Sequence, residues 1–523
     1  MKPRGAARDA WLLAGLLGLL AAVALARPLL PIDETRYAAV AWEMWDRGSW
    51  LVPLRNGEAY HHKPPLLFWT MHAGWALFGV NEWWPRLISP LFAAATLALT
   101  AALGRRLWPA RPAVARIAPF VLLSSLLYAY FATALMFDAM LGFFVALGLY
   151  GIVRAWQDGG ARGFVWLALG LGGALYAKGP VALLHLMPAA LFAPWWMRER
   201  RPRFGRWYAG VMLALLGGAA LILAWAIPAG IVGGPEYRNA IFWGQTAGRM
   251  ASSFAHRAPW WFYLAWLPLM LAPWLLWPRW WQGLRRELLA DSGARLLLLM
   301  LGVALLGFSL ISGKRWHYLL PEFAPFALLC ARALDGSRPS RLAQRLPGLA
   351  LLLAGAAVII ARPRIGAALG ATGGGAALWA AAAVTIAAGL VLLWRRPADA
   401  AGEVRAVAAA TLLSLAAFFG AADVLLREPY DVSRTAAQIA SEQAAGREVA
   451  VVGGYHGQWH LAGRLHRPLP EIEADEIQSW LAAHPTGRVL LIQRRSDPPP
   501  SGLKRVYEQP RYRGGKLLIV GAD

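Results

Sequence analysis

Long runs of leucine, alanine, valine and tryptophan alternate with short polar stretches over most of the chain. A helix that crosses a membrane needs about 20 predominantly apolar residues, and by that criterion we predict about thirteen spans. Their starts lie near Trp11, Pro85, Ala113, Phe137, Phe164, Val181, Trp207, Trp260, Leu296, Tyr318, Leu346, Ala376 and Ala406. The pattern therefore predicts an all-α polytopic membrane bundle.

Two further apolar stretches lie in the segment 31–84 and are too short to cross. One runs from Leu66 to Phe78 and is opened by Pro64-Pro65 and stopped by Gly79. The other runs from Asp33 to Asp46, where apolar residues recur at helical spacing. We predict two juxtamembrane helices in an outer loop that covers 31–84.

The composition becomes that of a soluble domain after about Arg427. Alternating or continuous short apolar runs predict strands at 448–452, 488–492 and 516–520, with helices at 433–445 and 474–483 between them. We therefore divide the chain into a membrane domain, 1–426, and a small α/β domain, 427–523.

Composition and charge agree with a membrane protein. The 523 residues are 58% hydrophobic and 15% charged, with a mean hydropathy of +0.43. The net charge of +23 comes largely from arginines in short runs between spans, as the positive-inside rule describes, and this argues against a nucleic-acid partner. The rule predicts a cytoplasmic N-terminus and a C-terminus on the outer side, and the single cysteine excludes an intrachain disulfide.

An unusual set of polar residues begins at Asp33-Glu34-Thr35-Arg36-Tyr37, on the predicted outer side. Asp33 opens a helical pattern, so it is a helix cap, a functional carboxylate or both. Arg36 follows at i+3 and is expected to pair with Asp33 on one face of the helix. We take Asp33 and Glu34 as candidate catalytic acids.

Isolated charges also interrupt apolar stretches on the same side. Lys63 stands where the chain returns to the membrane, where a lysine either reaches a lipid phosphate or extends its ammonium into the headgroups. Asp138 and Lys178 lie at the outer ends of spans, where an ionisable residue is costly unless it is paired, solvated or functional. For Asp138 a helix cap is the alternative, and for Lys178 contact with the headgroups.

Two later outer loops add cations and aromatic residues: Arg249, His256 and Arg257 in one, Lys314, Arg315 and Tyr318 in the other. Each alone is typical of a solvated loop. Together with Lys63 and Lys178 they indicate a site for an anionic lipid headgroup. A divalent metal is the alternative use of His62 and His256, although no ligand spacing supports it.

Taken in order, these motifs resemble the aminoarabinose lipid A transferase family, within the wider group of polyprenyl-phosphate-sugar-dependent transferases that includes protein mannosyltransferases. The motifs are Asp33 to Tyr37, Tyr60-His61-His62-Lys63-Pro64-Pro65, Asp138, Lys178-Gly179-Pro180 and Lys314 to Pro321. The resemblance covers most of the first 335 residues. At one position the chain departs from the family, which commonly has an acidic residue where His62 stands.

The resemblance implies a membrane glycosyltransferase C fold with a site that faces the periplasm of a bacterial inner membrane. It also implies roles for the residues of this chain. Catalytic roles fall to Asp33, Glu34 and Asp138; donor phosphate binding to Lys63, Lys178, Arg249, Lys314 and Arg315; substrate positioning to Arg36, Tyr37, Tyr60, His256 and Tyr318.

The function this implies is inverting transfer of a sugar, 4-amino-4-deoxy-L-arabinose or a related one, from undecaprenyl phosphate. The acceptor is lipid A or another periplasmic glycan or protein, and membrane lipids are further partners. Two alternatives stay open: an enzyme similar to protein O-mannosyltransferases with a hydroxyl acceptor, and a non-enzymatic transporter of lipid-linked sugars. A transporter would place charges at mid-membrane in broken helices.

Overall fold

The computed structural model describes residues 4–248, 257–284, 291–335, 341–369, 375–395, 397, 399–494, 497 and 502–522. Helices dominate up to Tyr430. In the first half these are α1 (Arg4–Ala26), α2 (Asp33–Asp46), α3 (Leu66–Phe78), α4 (Trp83–Leu107), α5 (Pro112–Ser124), α6 (Leu126–Phe131), α7 (Phe137–Asp158), α8 (Ala161–Lys178), α9 (Ala182–Leu191), α10 (Ala193–Trp196), α11 (Phe204–Val232) and α12 (Gly234–Asn239).

A π-helical stretch, Ala240–Gly248, follows α12, and a 3-10 helix, Trp316–Glu322, precedes α16. The remaining helices of the membrane domain are α13 (Phe262–Met270), α14 (Pro278–Gly283), α15 (Ser292–Leu310), α16 (Phe323–Asp335), α17 (Arg341–Leu369), α18 (Gly375–Trp394) and α19 (Ala400–Tyr430).

Within the described ranges, 9 helical stretches are long and apolar enough to cross a membrane. The predicted spans near Phe164 and Val181 fall in one such stretch, Ala161–Leu191, which bends at Gly179, where φ is +72°. The spans predicted near Ala113, Trp260 and Tyr318 correspond to the shorter helices α5, α13 and α16. The multi-pass architecture agrees with the prediction, and the number of thirteen crossings stays a prediction.

The two predicted juxtamembrane helices have the predicted bounds, as α2 and α3. Between them lies a short antiparallel hairpin of β1 (Leu54–Arg55) and β2 (Glu58–Ala59). Its turn is Asn56-Gly57, with φ of +53° and +85°, the left-handed geometry that these two residues adopt at least cost. The hairpin was not predicted, although Asn-Gly is a strong short-range hairpin signal.

The C-terminal domain contains a five-stranded sheet. Its helices are α20 (Ser433–Ala444), α21 (His460–Gly463) and α22 (Ile477–Ala483), the last preceded by a 3-10 turn, Ala474–Glu476. Its strands are β3 (Val449–Val452), β4 (Glu471–Ile472), β5 (Arg488–Gln493), β6 (Lys504–Tyr512) and β7 (Gly515–Gly521), in the order β4-β3-β5-β7-β6.

The three predicted strands of this domain are β3, β5 and β7, and β4 and β6 were missed. Strand β3 pairs in parallel with β4 and β5, whereas β7 pairs antiparallel with β5 and β6. The last long helix, α19, continues through the boundary predicted at 426/427 and ends at Tyr430.

Candidate active site

The start of α2 places an acid and a base at the outer edge of the helical bundle. Ile32, not Asp33, is the residue before the helix, and no side chain caps it, so the expectation that Asp33 caps the helix is wrong. Asp33 instead pairs with Arg36, as the i+3 spacing predicted. The Asp33 side chain is 51% exposed and that of Arg36 is 22% exposed, so Asp33 remains open to a ligand.

Glu34 has a different environment from its neighbour. It is buried, and its carboxylate accepts hydrogen bonds from both terminal nitrogens of Arg27 at 2.5 Å, from the Leu30 amide at 2.8 Å and from the Leu135 amide at 2.9 Å. A carboxylate with this many donors is well satisfied and poorly available to a substrate. Glu34 therefore joins α1, α2 and the segment before α7, and we assign it a structural role in place of the predicted catalytic one.

Asp138 and Lys178 form a buried ion pair. Asp138 lies in the first turn of α7 and Lys178 is the last residue of α8. The Lys178 Nζ is 2.5 Å from Asp138 Oδ1, and the side chains are 9% and 1% exposed. Met136, not Asp138, precedes the helix, so Asp138 is held by a charge partner and not by a capping role.

Two predicted cations, Lys63 and Arg315, and one histidine lie around this pair. Lys63, which precedes α3, and His317, in the 3-10 helix, both act electrostatically on Asp138. Arg315 acts on His317 in turn. Residues from four separate segments thus meet at one place, and the cations among them, Lys63, Lys178 and Arg315, are the groups that an anionic headgroup requires.

Aromatic side chains connect the buried pair with the start of α2. Tyr37 packs edge-on against Phe137 with ring centroids 5.0 Å apart, and the Lys178 ammonium lies 5.3 Å from the centre of the Tyr318 ring. Tyr60 is buried and interacts electrostatically with Arg36 and Tyr37. Burial, with smaller contributions from Tyr60 and Asp33, raises the pKa of Tyr37 well above its usual range, so its phenol remains a hydrogen-bond donor at neutral pH.

Lys314 is placed differently from the other predicted phosphate ligands. It is 5% exposed, and its Nζ donates to the carbonyls of Ala258 at 2.9 Å and Ile311 at 2.6 Å. These bonds support the contact between the loops at 257–258 and 312–313, where Arg257 and Gly313 form an antiparallel bridge. We therefore assign Lys314 to loop structure, and Arg315 is the member of the pair that lies near the site.

Two predicted site residues, Arg249 and His256, lie outside the described residues. The metal prediction rested partly on His256. Within the described ranges no group of three or more histidine, cysteine, aspartate or glutamate side chains is arranged to hold a metal ion. His62, the other candidate, is exposed, and its ring is tilted against that of His61, with ring centroids 4.4 Å apart.

The C-terminal domain packs directly on α2. Trp42 Nε1 donates to the Leu465 carbonyl at 2.9 Å, and His466 Nδ1 lies 2.8 Å from Asp46 Oδ1. In the hairpin turn, Asn56 exchanges two hydrogen bonds of 2.8 Å with the backbone of Leu469. The helix that carries Asp33 and Arg36 is therefore held between the membrane domain and the soluble domain.

Sequence reasoning missed two buried groups near the site. His317 lies inside the motif Lys314 to Pro321 but was given no role, although its place in Arg315-Trp316-His317-Tyr318 could have indicated its position. Glu322, at the end of the same 3-10 helix, lies with Oε1 2.7 Å from His185 Nδ1 of α9, and both side chains are buried. This pair fixes the helix that presents His317 and Tyr318, and no sequence spacing relates its two members.

Sequence comparison shows which known proteins the chain is similar to. Residues 62–230 match the family model described as dolichyl-phosphate-mannose-protein mannosyltransferase. The undecaprenyl phosphate-alpha-4-amino-4-deoxy-L-arabinose arabinosyl transferase 2 of Pseudomonas fluorescens is 33% identical over 338 residues, which are 61% of this chain and 59% of that protein. The corresponding transferase of Erwinia tasmaniensis is 34% identical over 58% of this chain and 55% of its own length.

The chain is similar in sequence to these aminoarabinose transferases. The alignments span less than two thirds of the length of each relative. In structure, the chain is similar over 98% of its length to 97% of the crystal structure of ArnT from Cupriavidus metallidurans bound to undecaprenyl phosphate, with a TM-score of 0.76 and 20% identity. At that identity the likeness concerns the fold, and it confirms the predicted membrane glycosyltransferase C architecture with a small C-terminal domain.

Proposed function

We propose that the chain is an inverting glycosyltransferase that moves a sugar from undecaprenyl phosphate to an acceptor at the outer face of a bacterial inner membrane. The observation that carries the proposal is the buried Asp138–Lys178 pair with Lys63, His317 and Arg315 around it. The aminoarabinose transferases named above supply the donor class. By the resemblance, the sugar is 4-amino-4-deoxy-L-arabinose or a related one and the acceptor is lipid A.

The cations explain how such a donor would react. Transfer breaks the bond between the anomeric carbon and the phosphate oxygen of the donor, and the bonding electrons stay on undecaprenyl phosphate. Positive groups arranged beforehand around that phosphate stabilise the charge as it develops, which is usually the largest electrostatic term in catalysis. Lys63, Lys178 and Arg315 are the described residues that we assign to this task.

The acceptor decides what Asp33 does. A phosphate of lipid A is already an anion, so its oxygen can form the new bond to the anomeric carbon without giving up a proton. Asp33 would then orient Arg36 or contact a cationic sugar. A hydroxyl acceptor, as in the mannosyltransferase alternative suggested by the family model, would require Asp33 to remove the proton.

Contacts at the two ends of the helical bundle support the proposed orientation. Asp9 of α1 binds Arg116 at 2.6 Å and Arg405 at 2.9 Å, so the N-terminal end lies with two of the arginine-rich loops. These loops are expected in the cytoplasm. The C-terminal domain packs on α2 at the other end, and we assign that end to the periplasm.

The test is a transfer assay with the full-length protein in detergent, using a labelled sugar on undecaprenyl phosphate and purified lipid A. We expect Asp33→Asn to reduce transfer by roughly 10²- to 10³-fold and Lys63→Ala to raise the KM for the donor roughly tenfold or more, while expression of both variants stays normal. Glu58→Gln, which changes an exposed carboxylate on β2, is the matched control and should be active. Full activity in either test variant would remove that residue from the mechanism, and absence of transfer by the wild type to lipid A and to peptide hydroxyls would favour a transporter.

A further inference from the structure

The C-terminal domain packs along the face of α2 that carries Arg36. His460 Nε2 lies 3.6 Å from Glu43 Oε1. One turn earlier, Gly457 approaches α2 so closely that a Cβ there would lie 2.9 Å from the Cβ of Ala39 and 3.8 Å from Cγ of Arg55. Arg36, Ala39 and Glu43 share one helix face. Because Glu43 faces His460 and Ala39 faces Gly457, the residue before Gly457, His456, lies near Arg36 on that face.

The charges near His456 agree with this geometry. Arg36, Arg55 and Arg513 all act electrostatically on His456, and Glu471 is the acid that opposes them. Burial, reinforced by Arg36 and Arg55, lowers the pKa of His456, so the imidazole is neutral and can donate one hydrogen bond. Asp33, which pairs with Arg36, is a second acid here, so three arginines face two carboxylates and the junction keeps an excess of positive charge.

Two polar atoms at the junction have unused hydrogen-bonding capacity. Within the described part of the chain, Arg36 Nε and His456 Nδ1 are both buried and make no hydrogen bond. The pairing of Arg36 with Asp33 uses a terminal nitrogen of the guanidinium and leaves Nε unused. Buried polar atoms without partners are uncommon and costly, and here one belongs to α2 and the other to the C-terminal domain, in residues that act electrostatically on each other.

We propose that Arg36, Arg55 and His456 form the subsite for the acceptor's phosphate, so that the C-terminal domain takes part in acceptor binding. The inference rests on the proposed function and deepens it. The donor phosphate would lie by Lys178 and Lys63, and the acceptor phosphate would approach from the Asp33 side. A phosphate at Arg36 presents an oxygen anion as nucleophile, which favours a phosphorylated glycolipid over a protein hydroxyl as the acceptor class.

The decisive measurement separates acceptor binding from donor binding. In the full-length protein, His456→Ala and Arg55→Gln are expected to raise the KM for lipid A roughly tenfold, the loss of one hydrogen bond to a charged group. The KM for the undecaprenyl-phosphate donor should change less than twofold. His456→Gln, which retains a donor, should restore part of the affinity for lipid A.

Arg505→Gln is the control, because Arg505 lies in β6 of the same domain and pairs with Glu508. It should leave both KM values unchanged. An unchanged KM for lipid A in both test variants, or an increase confined to the donor KM, would overturn the proposal. Equal thermal unfolding midpoints for the variants and the wild type exclude a folding defect as the cause.

A second measurement does not depend on transfer. Inorganic pyrophosphate should raise the thermal unfolding midpoint of the wild type, and much less that of the double variant Arg55→Gln/His456→Ala. If this difference is found but the wild type transfers no sugar, the proposed function fails and the anion subsite stands. If transfer proceeds and neither the KM for lipid A nor the pyrophosphate effect changes, the subsite fails and the proposed function stands.

Discussion

Two ion pairs lie at the candidate site, and they differ in burial. The side chains of Asp138 and Lys178 are 1% and 9% exposed, whereas those of Asp33 and Arg36 are 51% and 22% exposed. A buried charge loses its compensation when its partner is removed, and an exposed pair contributes little to stability. We call Asp138–Lys178 the inner pair and Asp33–Arg36 the outer pair. We infer that the inner pair is fixed in place, whereas the outer pair can rearrange around a substrate.

The largest effect is expected from breaking the inner pair. Lys178→Met should abolish transfer and also lower stability by about 3–5 kcal/mol, because Asp138 would keep a buried charge with no partner at 2.5 Å. The measurements are sugar transfer and thermal unfolding in detergent. The double variant Lys178→Met/Asp138→Leu should recover stability but not transfer, and a single variant with the wild-type unfolding midpoint would contradict the inference.

Changing the outer pair should affect activity alone. Asp33→Asn is expected to reduce transfer by roughly 10²- to 10³-fold, while stability changes by less than about 1 kcal/mol because the pair is exposed. Thermal unfolding and initial rates measure the two effects separately. The neighbouring Glu34→Gln should show a clear loss of stability, since Glu34 accepts four hydrogen bonds. Equal destabilisation by Asp33→Asn and Glu34→Gln would contradict the assignment of Asp33 to activity and of Glu34 to structure.

A smaller effect should distinguish the cations around the inner pair. Lys63→Ala is expected to raise the KM for the donor roughly tenfold or more, since a charge-assisted contact to phosphate would be lost. Lys314→Met should act mainly on stability, because its ammonium donates to two backbone carbonyls. A donor KM that rises more in Lys314→Met than in Lys63→Ala would reverse the two assignments.

A further effect depends on pH and concerns the contact between α2 and the C-terminal domain. Burial, and secondly Arg47, lowers the pKa of His460 to about 3, from about 6.5 in an unfolded chain. The unfolded state therefore binds more protons between these values. The stability that neutral His460 contributes is complete above about pH 6.5 and is lost as the pH falls toward 3, by at most about 1.4 kcal/mol per pH unit.

Glu43, whose pKa is raised by burial, changes stability in the opposite sense. The useful quantity is therefore the difference between the wild type and His460→Gln in thermal unfolding at each pH. That difference should shrink from pH 7 to pH 5. If the two curves stay parallel, His460 does not titrate as the structure implies.

Much of the fold could be predicted because it follows from local patterns. The lengths of apolar runs gave the polytopic bundle, and helical spacing gave the bounds of α2 and α3. Strand β6 was missed because it contains Pro510 and is largely polar, and pairing with β7 decides its structure. The turn Asn56-Gly57 did carry a local signal for the hairpin.

The site was predicted in part. Residue types and their side of the membrane singled out Asp33, Lys63, Asp138 and Lys178, and the i+3 spacing predicted the Asp33–Arg36 pair. The separate roles of Glu34 and Arg315 depend on contacts over long sequence distances, such as that of Glu34 with the Leu135 amide. No single-sequence pattern places His456 beside Arg36, because 420 residues separate the two.

The contact between the hairpin turn and the C-terminal domain limits which segments can be exchanged between homologues. The side-chain amide of Asn56 donates a hydrogen bond to the Leu469 carbonyl and accepts one from the Leu469 N–H. The 31–84 loop and the C-terminal domain therefore share one interface. A chimera that swaps only residues 427–523 would bring mismatched surfaces together at this turn. Recombination, natural or engineered, should therefore transfer the soluble domain and the segment from α2 to β2 as one unit.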